Sequence, residues 1–111
     1  MNLLAETQGI LCIHKQTPED ILYIGSFITN HACTWEEFLV LADIEYYSGF
    51  GGAEVALDLM IAFNNGDIMT RSEYDGSEWW KYTPKFILPE VTRPIKGLIT
   101  NSNYLYSRES S

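Results

Sequence analysis

A chain of 111 residues, with net charge −8 and 46% hydrophobic residues, is long enough for one buried core, too short for two, and too apolar to remain unfolded. No apolar run reaches the ~18–20 residues of a membrane-spanning helix. The opening "MNLLAETQGI" has neither a basic start nor a long apolar stretch, so no secretory leader is read there. Cys12 and Cys33 are accordingly expected as reduced thiols of a cytosolic protein.

Along the chain, "GILCIH" (9–14) and "ILYIGSF" (21–27) are rich in β-branched and aromatic residues and flank the turn-forming "KQTPED". They predict an antiparallel hairpin. Thr34 with Glu37 three residues later forms a capping box. Trp35, Phe38, Leu39, Ala42 and Tyr46 then recur at the spacing of one buried helical face. A helix over about 35–47 is expected, with Gly49 as its left-handed stop and Glu36, Asp43 and Glu45 turned outward.

Asn65-Gly66 and Asp75-Gly76 are dipeptides suited to two-residue hairpin turns. They predict a three-stranded meander over 55–64, 67–74 and 77–83. Two-residue turns set Met60 opposite Arg71, Asp58 opposite Glu73, Arg71 opposite Trp80 and Glu73 opposite Glu78. Alternation then sends Leu57, Leu59, Ile61, Phe63, Ile68, Tyr74 and Trp79 to the core. Asp58, Met60, Met69, Arg71, Glu73, Glu78, Trp80 and Tyr82 fall on the opposite, open face. Three prolines within 84–94 exclude a helix or a central strand there. The last part of the chain reads as an extended arm (84–111), with "GLITNSNYLY" as an edge strand and "SRESS" frayed. The expected architecture is α+β: one domain (1–111), an antiparallel sheet of about 4–6 strands packed on one main helix, and the arm.

Chemical signatures are sparse. His14, His31, Cys12 and Cys33 lack the paired spacing of a zinc site, and no nucleophile motif is present. A His31–Cys33 dyad is outweighed by a loop histidine beside a buried cysteine. "GFGG" (49–52) leads into a strand rather than a helix, so it cradles no phosphate. Asp58, Glu73 and Glu78 admit a hydrolase reading, but a deep cleft is seldom built from so short a chain. The chain is therefore read as non-catalytic, without metal or cofactor. Two readings of Arg71, Glu73 and Glu78 remain open: a cross-strand ion-pair ladder, or a binding surface with Asp58, Trp80 and Tyr82.

Charge narrows the partners. Residues 1–70 carry ten carboxylates and one base, whereas 71–111 carry five and six. An acidic body repels nucleic acid phosphates and attracts basic surfaces, including those that normally bind nucleic acid, and with no apolar run of membrane-spanning length no membrane partner is expected. Glu36, Glu37, Asp43 and Glu45 form the expected partner surface. Lys81, Lys85, Arg93 and Lys96 are too few to bind nucleic acid directly.

The run from "SGFGGAEVALDL" through "NNGDIMTRSEYDGSEWW" resembles small bacteriophage- and prophage-encoded proteins with a G-x-G-G-x-E segment followed by R-x-E-Y-D-G-S-E-x-W. The matching positions are Gly49, Gly51, Gly52, Glu54, Asp58, Leu59, Gly66, Arg71, Glu73, Tyr74, Asp75, Gly76, Ser77, Glu78 and Trp80, within residues 48–82. By analogy, the resemblance implies a role against host defence. One form is an anti-CRISPR-like inhibitor that occupies the basic nucleic-acid site of a defence effector. A second is an oligomeric sponge holding a cyclic nucleotide or ADP-ribose signal on Arg71 and Trp80. The bland alternative is a small structural or assembly protein.

Overall fold

The computed structural model describes residues 1–47, 52–95 and 97–99. Among them are two helices, α1 (Leu3–Ile13) and α2 (Trp35–Leu41), and five strands: β1 (Ile21–Ser26), β2 (His31–Ala32), β3 (Met60–Phe63), β4 (Ile68–Tyr74) and β5 (Ser77–Thr83). The strands form one antiparallel sheet in the order β2-β1-β3-β4-β5. The α+β architecture expected from the sequence is thus present, with a second helix added.

That second helix corrects the reading of 9–14 as a strand. Asn2 caps α1 by accepting the Ala5 amide, and Leu3, Thr7 and Leu11 recur every four residues along its buried side. Ala42 and Ile44 accept the first-turn amides of Leu4 and Leu3, donors that a helix cannot satisfy internally. The same contacts end α2 earlier than the expected position 47. Ala42 and Ile44 offer their carbonyls to α1, and the Tyr46 amide donates to Met1. The Thr34–Glu37 capping box is present as expected. Gly49 lies outside the described residues.

The meander has both expected turns, but only one has the expected geometry. Asp75 and Gly76 take φ of 54° and 86°, and Tyr74 faces Ser77, Arg71 faces Trp80 and Glu73 faces Glu78 as predicted. At the other turn only Gly66 has positive φ, at 99°, and a three-residue loop (64–66) forms, with Phe63 donating to Asp67. Asn64 is fixed there by its amide, which donates to the Asp20 carbonyl, and by its side chain on Glu19. Met60 therefore faces Thr70, not Arg71, a slip of one residue.

Because side chains alternate, that slip exchanges the faces of β4 and β5 relative to β3. Ile61 and Phe63 still point inward, but they are joined by Met69, Arg71, Glu78 and Trp80, while Tyr74 and Trp79 face out. Residues 55–59 do not extend β3; Leu57 is exposed and Asp58 half-exposed. The core comprises Ile24, Ile61, Phe63, Met69 and Trp80 from the sheet, with Leu3, Leu11, Phe38, Ala42 and Tyr46 from the helical side. Each fully buried aliphatic or aromatic side chain contributes about 1.5–3 kcal/mol of transfer free energy.

At the far edge, Gly25 lets β2 approach. A Cβ there would lie 2.0 Å from the His31 carbonyl oxygen. Beyond β5, residues 84–95 and 97–99 form no regular element and are exposed, apart from position 95's neighbour Lys96, which is outside the described residues. Most of the "GLITNSNYLY" edge-strand expectation, and "SRESS", also fall outside them.

Candidate functional site

The exchange of faces converts the expected open surface into a buried ionic knot. The Arg71 guanidinium, with no side-chain exposure, lies 3.0 Å from Glu78 and 3.4 Å from Glu6. It donates also to the Tyr46 hydroxyl at 3.3 Å and sits over the rings of Tyr46 and Trp80, at 5.4 and 5.1 Å from their centroids. Glu78 accepts the Glu54 and Val55 amides, and Glu6 accepts the Trp80 amide and the Tyr46 hydroxyl. These donors offset the second carboxylate. Trp80 is latched to α1 by its indole N–H on Thr7 at 2.8 Å. Among the described residues the Arg71 Nε finds no acceptor.

Burial favours the neutral form of Glu78, but the Glu54 amide, Arg71 and the Val55 amide outweigh it and hold the carboxyl below its ordinary value. Burial likewise opposes the charge on Arg71, and the Tyr46 and Glu78 contacts overcome it, leaving the group above its usual value. The knot ties α1, the segment after α2, the 54–55 loop and strands β4 and β5 together. A buried ion pair of this kind specifies one arrangement more than it adds net stability.

The expected site residues are therefore only partly gathered. Arg71, Glu78 and Trp80 are together but sealed inside, so neither the guanidinium nor the indole is presented to a nucleotide. Glu73 is exposed and accepts the Gly76 amide within its own turn. Tyr82 is half-buried, stacked on His14 with ring centroids 3.7 Å apart, and donates to Asp67. Asp58 borders a separate cleft with Ser26, Thr29 and His31. Glu6 escaped the sequence reading, and Tyr46 was read only as part of a buried helical face; recognising Asn2 as a cap and the Leu3–Thr7–Leu11 stripe would have exposed Glu6.

The thiols are both free. The His31 ring is engaged by Thr29, and burial, then the Glu37 charge, pushes the Cys33 thiol up, away from a thiolate. Among the described residues no three His, Cys, Asp or Glu side chains gather to hold a metal ion, and no helix is long and apolar enough to cross a membrane.

The acidic surface, in contrast, is open. Glu36, Glu37, Asp43 and Glu45 are all exposed on α2 and the segment after it. Among the described residues none pairs with a lysine or arginine; Glu45 meets only the Met1 amino group. Val40, Leu41 and Ile44 are exposed between them. Cys33, Glu36, Glu37, Val40 and Leu41, with Ala32 of β2, line a groove of about 520 Å³. An adjoining cleft of about 410 Å³ runs past Glu36 to Leu22, Tyr23, Trp35 and Glu19.

The fold is thus an antiparallel five-stranded sheet with two helices over its core face. No family model, curated protein or solved structure matches the chain.

Proposed function

We propose that the protein is a non-catalytic inhibitor that covers a basic, nucleic-acid-binding surface of a host defence protein in the bacterial cytosol. The carrying observation is that Glu36, Glu37, Asp43 and Glu45 are all exposed on α2 and the segment after it, the same stretch that exposes Val40, Leu41 and Ile44. Carboxylates set among apolar side chains suit a protein partner: the charges steer association and the apolar centre holds the complex. The remaining acids of residues 1–70 add to the same field.

The test expresses the protein in bacteria that carry an RNA-guided nuclease and challenges them with phage. Plating should be restored, and Glu36→Lys with Asp43→Lys should abolish the effect while the circular dichroism spectrum stays unchanged. In vitro, the protein should displace guide or target nucleic acid from the effector, less effectively as salt rises. Relief that survives the charge reversals, or no relief of any nuclease tested, overturns the reading.

A further inference from the structure

We propose that residues 84–95 are an exchange arm that docks on a second copy of this chain, in the groove between β2 and α2. Pro84, Pro89 and Pro94 lack amide donors and fix φ, so the segment neither extends the sheet nor coils into a helix. Phe86, Ile87, Leu88, Val91 and Ile95 consequently stand between 60% and 79% exposed. So dense a row of apolar side chains in water marks an interaction site.

Charge complementarity selects the occupant. The arm carries Lys85 and Arg93 against Glu90 alone. The groove offers exposed Val40 and Leu41 beneath Glu36 and Glu37. Apolar and basic thus meets apolar and acidic. The arm does not lie in the groove of its own chain, which is lined by Ala32, Cys33, Glu36, Glu37, Val40 and Leu41 without a residue of 84–95, and this leaves it open to a neighbour's arm. The arm leaves from β5, and the groove lies beside β2, at the opposite edge of the sheet. Its base is pinned by the Lys85 amide donating to Asp67 at 2.7 Å and by the Lys85 stem over Gly66. A dozen extended residues reach about 40 Å, enough to cross to another molecule. Two copies exchanging arms close a symmetric pair in which each supplies one arm and one groove.

The arm and a basic host protein would compete for Glu36, so self-association is measured on the purified full-length chain alone, and its outcome leaves the inhibitor reading standing or falling by its own assay. Light scattering over a wide concentration range should report a dimer for the native chain. Glu36→Lys with Val40→Lys in the groove, and separately Lys85→Glu with Arg93→Glu in the arm, should each weaken dimerisation about tenfold or more. Circular dichroism should show both variants folded. Mixed in equal amounts they should form a heterodimer, because each then offers a basic groove or an acidic arm to its counterpart. A monomeric native chain, whether its arm lies free or folds onto its own groove, overturns the proposal. So does a dimer indifferent to both reversals, or reversed variants that stay apart on mixing.

Discussion

Arg71 and Glu78 lie 3.0 Å apart with both side chains withdrawn from water, and Glu6 stands 3.4 Å from the same guanidinium. Removing the cation alone leaves two carboxylates in the core. Arg71→Met, which keeps most of the stem, is expected to lower stability by about 3–5 kcal/mol. Urea denaturation measures it. Adding Glu78→Gln should recover part of the loss, and a cost below about 1 kcal/mol would show that the knot is not buried as described.

The two adjacent tryptophans should behave oppositely. Trp80, 4% exposed and bonded to Thr7, should cost about 3–5 kcal/mol as Trp80→Ala. Trp79, 42% exposed on the outer face, should cost less than half as much. Acrylamide quenching of the Trp79→Phe and Trp80→Phe proteins checks the same point: the first should lose its most quenchable emission, the second should not.

Stability should decline in acid partly through Glu78. Its folded-state value lies below the ordinary one, so the unfolded chain takes up the proton first. The contribution is complete above the unfolded value of about 4.3 and is lost as pH falls through the folded value. Glu78→Gln should flatten that part of the urea-midpoint profile. Tyr82 works at the other end. Burial and the Asp67 contact raise its phenol, so its contribution is complete below about 10 and lost as pH rises through the folded value. Tyr82→Phe should remove one late-ionising group from the tyrosinate titration.

Gly25→Ala should detach β2. The added methyl meets the His31 carbonyl oxygen at 2.0 Å, so the strand must shift, at about 1–3 kcal/mol. Hydrogen exchange should lose protection at the Cys33 amide, which bonds Ile24, while Met69 in β4 keeps its own. Unchanged Cys33 protection would refute the close approach.

Much of the fold was legible locally. Thr34 and Glu37 announced the start of α2, and Asp75-Gly76 fixed the β4–β5 register to the residue, because both signals act within four positions. The errors were non-local. Ile10 and Ile13 carry strand-like propensity, but α1 is stabilised by packing Leu3 and Leu11 against the sheet and by carbonyls from Ala42 and Ile44, more than thirty residues away. Asn65-Gly66 favours a two-residue turn in isolation, and the bond from Asn64 to Asp20 selects the longer loop. The Arg71–Trp80 proximity was correctly anticipated, whereas its side of the sheet depended on that loop. The acidic surface was legible because composition alone reveals it and α2 displays it.

The loop at 64–66 acts as a parity setting for everything after it. A reversal displaced by one residue there, so that Asn64 and not Phe63 faces Asp67, would not perturb the hairpin by degrees. It would ask Arg71 and Trp80 to trade places with Ser72 and Trp79, leaving Glu6 and Tyr46 facing the wrong partners. The amide of Asn64, held on the Asp20 carbonyl and so kept out of the ladder, decides which side of the sheet receives the guanidinium.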